Sequence, residues 1–191
     1  MTIAISAYHQ MISSGQFKDI YNEHKVMVFN LALNYLQNIE DAEEVTQDVF
    51  VSVFQSHHRF DENSTLKTWI YKIAVNKCLD SIKAKKRKKR FGFIRQLFEE
   101  TDPSEIIISD FIHPGIITEN KELAGYLYKA IEKLPDAQKT AFILANLNGL
   151  GNKEIAAVME RGVGSVESLL QRAKHGLRVE LEKIYDSYQR K

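Results

Sequence analysis

From Lys67 to Arg90 the chain holds ten lysines and arginines against one acid, Asp80, whereas residues 1–66 hold three basic residues against nine acids. A positive run that dense suits a phosphate backbone, whose binding proteins gain affinity by releasing condensed counterions. The residues between the charges carry equal weight. Trp69, Tyr71, Asn76 and Ser81 interleave the cations, and such groups stack on bases or hydrogen-bond to them. A merely solvated basic face explains the charge but not that interleaving. The stretch is therefore read as a nucleic-acid-binding helix.

Placing those groups requires a particular set of elements. Trp69, Ile70, Ile73, Ala74, Leu79 and Ile82 recur mostly at steps of three and four, one buried stripe at about 3.6 residues per turn. The preceding RFDENST, residues 59–65, is a turn, and Ser64 or Thr65 can cap the basic helix. Upstream, Phe17, Ile20, Tyr21, His24, Val28, Leu31, Ala32 and Tyr35 predict an amphipathic helix, with His24 at its core or edge. Residues 1–15 are given no role. A second helix is expected from near Asn38–Asp41 to about Ser56, burying Ala42, Val45, Val49 and Val53 and presenting Glu40, Glu43, Glu44, Gln47 and Asp48 on the opposite face. Adjacent His57 and His58 point about a hundred degrees apart on a helix and have no completing ligands, so no metal is expected there.

Composition sets the bounds. The 191 residues are 44% hydrophobic and 27% charged with a formal net charge of +1, ordinary values for a soluble chain. The single cysteine, Cys78, cannot form an internal disulfide and reads as a small buried filler in a reducing cytoplasm. Neither a signal peptide nor a membrane-spanning run is expected. Residues 91–120 carry one arginine against six acids, with Pro103 and Pro114, and read as an acidic linker with one short amphipathic helix near Phe91–Phe98. Beyond it, Leu123, Tyr126, Leu127, Ala130 and Ile131 form a helix stopped at Pro135, and a new helix begins at Asp136. Gly149 and Gly151 break that helix before a short one holding Ile155, Ala156 and Met159. Gly162-Val163-Gly164 is expected to make a tight turn, with Ser165 capping a long helix on the stripe Val166, Leu169, Leu170, Ala173 and Leu177. The expected fold is all-α: two helical domains, 1–90 and 121–191, joined by a flexible linker, 91–120, with a C-terminal helix-turn-helix. No nucleophile, base and oxyanion set, phosphate loop or zinc spacing is present, so neither an enzyme nor a cofactor is expected.

The ordered set Asp41-Ala42-Glu43-Glu44-Val45-Thr46-Gln47-Asp48-Val49-Phe50, Arg59-Phe60-Asp61 and Trp69 through Asn76 resembles an extracytoplasmic-function (ECF) sigma factor, a bacterial promoter-recognition subunit of RNA polymerase. Leu134-Pro135, Gly149-Leu150, Lys153 through Ala156, Ser165-Val166 and Arg172-Ala173 resemble the second domain of that family, in the same order. The resemblance covers roughly residues 17 to 184. It implies that Glu43, Glu44, Gln47 and Asp48 dock on core RNA polymerase. It places Asp61, Asn63 and Ser64 in a loop that receives a base flipped from the melted strand, followed by Lys67, Trp69, Lys72, Asn76, Lys77, Asp80, Lys83, Lys85 and Arg87 along the minus-ten element of promoter DNA. Asn76 can bond adenine bidentately. Asp80 either accepts from a cytosine amino group or pairs with Lys77 or Lys83, and the pair is favoured. Lys153, Gly164, Ser165, Ser168, Gln171, Arg172, Lys174 and Arg178 fall to the minus-thirty-five element. In the family the linker threads the polymerase channels, and an anti-sigma factor is an expected partner, with no membrane contact by this chain itself.

Three residues depart from the family pattern. Glu160 stands where a turn glycine is common, Arg161 where an apolar residue is, and Glu167 where a basic one is. An acid facing the groove repels phosphate unless it accepts a hydrogen bond from cytosine. The rival reading is an autonomous helix-turn-helix regulator with an N-terminal sensor or dimerisation domain, which the basic helix disfavours. A metal-dependent nucleic-acid enzyme using the acids at 40–48 is weaker, because no partner cluster exists elsewhere. Two segments of net +3 separated by an acidic stretch predict an extended free protein, and a form packed domain against domain would instead shield that stretch.

Overall fold

A computed structural model describes residues 14–57, 60, 64–98 and 121–189, and all regular structure among them is helical. Helix α1 spans Ser14–Leu36. Its expected stripe faces inward: Val28, Leu31, Ala32 and Tyr35 are buried, and so is His24. Gln37 ends it in the left-handed region, with φ 55°, and its side-chain amide donates to the carbonyls of Leu33 at 3.1 Å and Asn34 at 2.8 Å. Glutamine thus satisfies helix-end carbonyls at a place where glycine is usual.

Helix α2, Ile39–Ser56, starts as expected, with the Asn38 side chain accepting from the Asp41 N–H at 2.8 Å. It buries Ala42, Val45, Val49, Phe50 and Val53, and also Thr46, whose hydroxyl donates to the Ala42 carbonyl. Helix α3, Leu66–Phe98, is capped by Thr65, whose hydroxyl oxygen accepts from the Thr68 N–H at 3.2 Å. Ile70, Ala74 and Cys78 are fully buried, while Trp69, Ile73, Leu79 and Ile82 pack partly buried around them. Truncating a buried isoleucine such as Ile70 to alanine costs about 2–5 kcal/mol. The helix does not stop where the composition changes at Arg90. The expected separate helix near Phe91–Phe98 is its last two turns, and Gly92 is the single weak helix former there.

In the C-terminal half, α4 covers Lys121–Glu132 and α5 covers Asp136–Phe142. The sequence predicts one regular helix after Asp136. Instead α5 widens into a π-helical stretch, Ile143–Leu147, closed by the Asn148 N–H donating five residues back to Ile143 at 3.0 Å. Gly149 takes φ 71°, which only a glycine holds without strain. Helix α6, Asn152–Met159, opens with the Gly151 N–H donating to the Glu154 carboxylate at 2.8 Å. The turn into α7, Val163–Gln189, differs from the expected one. It is made by Glu160, at φ 53°, through Gly162, and Gly164 and Ser165 already lie inside α7. Glu160 takes the left-handed position with its backbone N–H donating to the Ala156 carbonyl, and its carboxylate has a partner, described below. Helix α7 buries Val166, Leu169, Ala173 and Leu177, and it approaches the α4–α5 turn so closely that a Cβ at Gly176 would stand 3.0 Å from Leu134.

The two halves are packed together and not extended. Helix α3 lies against α6, and α1 against the π-helical stretch, so that one apolar core runs through both halves. The physical reason lies in the inner edges of α1 and α3, where Asn34, Tyr35, Val75 and Cys78 are covered by the C-terminal half.

Candidate nucleic-acid interface

On α3 the cationic face is where the spacing puts it. Lys67, Asn76, Asp80, Lys83, Lys85 and Arg87 are exposed, and Lys72, Trp69 and Lys77 are half-buried. Asp80 pairs with Lys83 at 3.9 Å, the favoured alternative. Lys85 reaches back to Asp41 on α2, and Lys72 pairs with Glu160 at the end of α6. Two of the expected phosphate contacts are therefore already held by carboxylates of other helices, and a third, Lys83, by one of its own helix. At the head of α3, Phe60 packs on Trp69 with ring centroids 5.4 Å apart at 54°, and Ser64 just before the helix is half-buried. Asp61 and Asn63 lie outside the described residues.

The second surface is on α7. Gly164, Ser165, Glu167, Ser168, Gln171, Arg172, Lys174 and Arg178 are all exposed there, as is Lys153 on the neighbouring α6. Ser168 donates to the Gly164 carbonyl at 2.9 Å, and Arg172 Nε donates to the Ser168 carbonyl at 3.1 Å, so both side chains lie along the helix surface. Arg178 is matched by Glu182 at 2.9 Å. A helix N-terminus with small polar residues and cations further along is the shape that enters a major groove and holds its flanking phosphates.

A third surface brings Glu43, Glu44, Gln47 and Asp48 together in solvent along α2. Beside it the sequence reading missed a contribution from α1. Tyr21, Lys25, Val26 and Phe29 line a shallow depression with Glu43 and Gln47, and Val26 is 61% exposed. The signal was present in the sequence as an apolar residue off the α1 stripe, but periodicity gives no reason to join it to α2.

Between the halves lies a polar node that the sequence did not disclose. Tyr128 of α4 donates to the Asn34 side chain at 3.0 Å, and Asn34 in turn donates to the Asn148 side chain at 3.4 Å. Lys139 of α5 is buried, with its ammonium 5.8 Å from the Tyr35 ring centroid. Burial pulls its pKa below the ordinary 10.5, opposed by Glu132 and Asp136 and reinforced by Lys86 of α3. Burial also pushes the Cys78 thiol up to about 12 and the Tyr35 phenol higher still, so neither ionises near neutrality. Cys78 is a filler of the core, as its place in the apolar stripe predicts.

The fold and these surfaces define a helical protein in two parts, each offering nucleic acid a long helix. The model of sigma-70 region 2 matches residues 20–88 and that of sigma-70 region 4 matches residues 124–175. Over 168 residues the chain is 28% identical to "ECF RNA polymerase sigma factor SigW" of Bacillus subtilis (strain 168), covering 88% of this chain and 90% of that protein. It is 29% identical over 155 residues to the "ECF RNA polymerase sigma-E factor" of Escherichia coli (strain K12), covering 81% of this chain and 80% of that one. Two solved structures share the fold. CnrH, in complex with the cytosolic domain of CnrY, has a TM-score of 0.59 at 21% identity, over 91% of this chain and 89% of that one. The sigma factor RpoE of Bartonella quintana, in complex with the anti-sigma factor NepR, has 0.59 at 20% identity, over 87% and 96%. The chain belongs to the sigma-70 family and is an ECF sigma factor of RNA polymerase. Among the described residues no helix is long and apolar enough to cross a membrane.

Proposed function

We propose that the chain acts by binding alone, in the cytoplasm, and divides the work of initiation among its three surfaces. The acids Glu43, Glu44, Gln47 and Asp48, with the α1 depression beside them, dock on core polymerase, where a carboxylate face fits an arginine-bearing partner. The loop at 61–64 and the outer face of α3 take the minus-ten element. Extruding a base costs a few kcal/mol, and polar side chains at the head of α3 that hydrogen-bond the right base offset that cost selectively. Asn76 reads the adjacent duplex, and Lys67, Lys77, Lys83 and Arg87 hold phosphates. Helix α7 takes the minus-thirty-five element through Ser165, Ser168, Gln171 and Arg172. An anti-sigma protein is part of this reading, supported by the complexes in which the two structural relatives were solved.

The observation that carries the proposal is that two long helices with polar and cationic outward faces, α3 and α7, lie one on each of the two parts that match regions 2 and 4. The test is co-purification with core polymerase followed by transcription from a promoter library. Selective initiation at a shared pair of elements is expected. Binding of DNA without core binding would point to an autonomous regulator instead.

A further inference from the structure

Glu167 is the residue of α7 that neither packing nor local electrostatics accounts for. It is exposed and is the fifth residue of a helix that starts at Val163 with no acid in its first turn. It therefore stands past the reach of the positive helix end. The residues three and four positions away are Val163, Gly164, Leu170 and Gln171, and none can form the ion pair that commonly explains an acid on a helix face. Among the described residues, Ser168 and Arg172 bond back to their own helix and Arg178 pairs with Glu182, which leaves the Glu167 carboxylate and the Gln171 amide without a partner. Gly164, one turn before Glu167 on the same side, adds a second observation. A Cβ there would meet nothing within 4 Å, so no contact in the fold calls for glycine where alanine makes the better helix. The missing side chain leaves room outside the helix, next to Glu167.

An ionised carboxylate only accepts hydrogen bonds. In the major groove guanine shows two acceptors, thymine an acceptor and a methyl group, and adenine an acceptor beside its amino group; cytosine alone shows a donor with no acceptor next to it. Gln171 lies one turn further along the same side, about 6 Å up the axis, and its amide suits adenine. We propose that Glu167 is a specificity-determining residue of α7: its carboxylate accepts from the amino group of a cytosine in the minus-thirty-five element, and Gln171 reads an adenine next to it or one pair beyond. This rests on the reading that α7 takes that element. Part of the discrimination is repulsive, because at any other base the same charge faces an acceptor and is left unpaired near phosphates.

The test uses the full chain with core polymerase and a promoter library randomised across the minus-thirty-five element. The wild-type chain should select cytosine at one position, with adenine within two base pairs of it. Glu167→Gln keeps the size of the side chain and should change that cytosine to adenine, leaving the other positions as they were. Glu167→Ala should flatten the preference at that position alone. In fluorescence titrations of a duplex carrying the selected element, Glu167→Ala should weaken binding about five- to a hundredfold, the worth of one good base contact. Both substitutions are on an exposed helix face, and circular dichroism checks that the fold is kept. A wild-type selection without cytosine, or a selected element that both variants leave unchanged, overturns the assignment. So does a Glu167→Ala chain that binds every sequence more tightly by the same factor, since the acid then only repels phosphate. Gln171→Ala and Arg172→Ala separate this failure from that of the underlying reading. If they change the selected element and the Glu167 variants do not, only the role of Glu167 falls; if none of the four does, α7 does not read the element.

Discussion

Helices α3 and α7 are alike in length and in kind. Each lays an apolar stripe on a small helical core and turns polar and cationic residues outward, so a comparison by sequence treats them as equivalent DNA-facing elements. The fold treats them differently. Among the described residues none lies across the outward face of α7, whereas α3 has the end of α6 across its middle, with Lys72 and Lys85 both held by carboxylates from other helices. Positive charge and base-reading side chains are therefore not sufficient to predict an available surface. Availability depends on what the rest of the chain places opposite.

That difference can be broken or sharpened by experiment, beginning with the surface that both helices depend on. The acids of α2 are exposed with the two halves packed together, so docking on polymerase should need no rearrangement of the fold. The double variant Glu44→Lys, Asp48→Lys should fold normally yet lose core binding by a factor on the order of a hundred, as expected when two partly desolvated charge contacts are reversed. Pull-down with core polymerase and circular dichroism check the two halves of that statement. Unchanged core affinity in a folded variant would show the surface to be misassigned.

Base reading should separate the two helices directly. Asn76→Ala should cost about 1–3 kcal/mol for matched minus-ten DNA and much less for mismatched DNA, with the full effect visible in holoenzyme. Arg172→Ala should weaken minus-thirty-five binding in free chain and holoenzyme alike, because no described residue covers that face. Fluorescence titrations of both forms against matched and mismatched strands decide the matter, and an equal loss for every sequence would leave Asn76 as a generic contact.

The interface itself should respond to pH through Lys139. Its pKa is lowered when the halves are packed, mainly by burial, so its protonated form opposes packing. The opposition is fully present below the lowered value and fades as pH rises from there to 10.5, so the packed fold gains stability with rising pH across that window. Its neighbours from every side are Tyr35 on α1, Cys78 and Lys86 on α3, Glu132 on α4 and Asp136 on α5. Lys139→Met should remove the opposition, raising the melting temperature at neutral pH by about 2–4 °C for a gain of about 1 kcal/mol. Calorimetry across pH should show the variant's advantage shrinking as the medium becomes alkaline. A constant advantage would mean that packing and not charge is responsible.

The smallest effect concerns phosphate contacts within α3. Removing Arg87, which is exposed, should reduce the salt slope of DNA binding by about one. Removing Lys85 should reduce it by less, since that ammonium must first leave Asp41. Equal slopes for Arg87→Ala and Lys85→Ala would mean that the α2 carboxylate gives up its partner freely.

The sequence by itself determined most of the local structure and the makeup of the candidate surfaces. Helix starts at Asn38 and Thr65 and the break at Pro135 follow from caps and from a missing N–H, which act within one turn. The inner faces of α1, α2, α3 and α7 follow from apolar residues three and four apart, and the charge of α3 from composition alone. What lay beyond reach involves residues far apart in the chain: Lys72 and Glu160 are 88 residues apart, Tyr128 and Asn34 are 94, and Asn34 and Asn148 are 114. Periodicity reports neighbours on one helix and is silent on which helix lies opposite. It therefore could not show that Lys139 is buried, that α1 lends apolar residues to the acidic face of α2, or that Glu160, legible only as a departure from a family pattern, has its carboxylate on Lys72. Those were decided by the packing of α5 and α6 onto α1 and α3, where apolar area is buried and polar groups find partners that no local rule supplies.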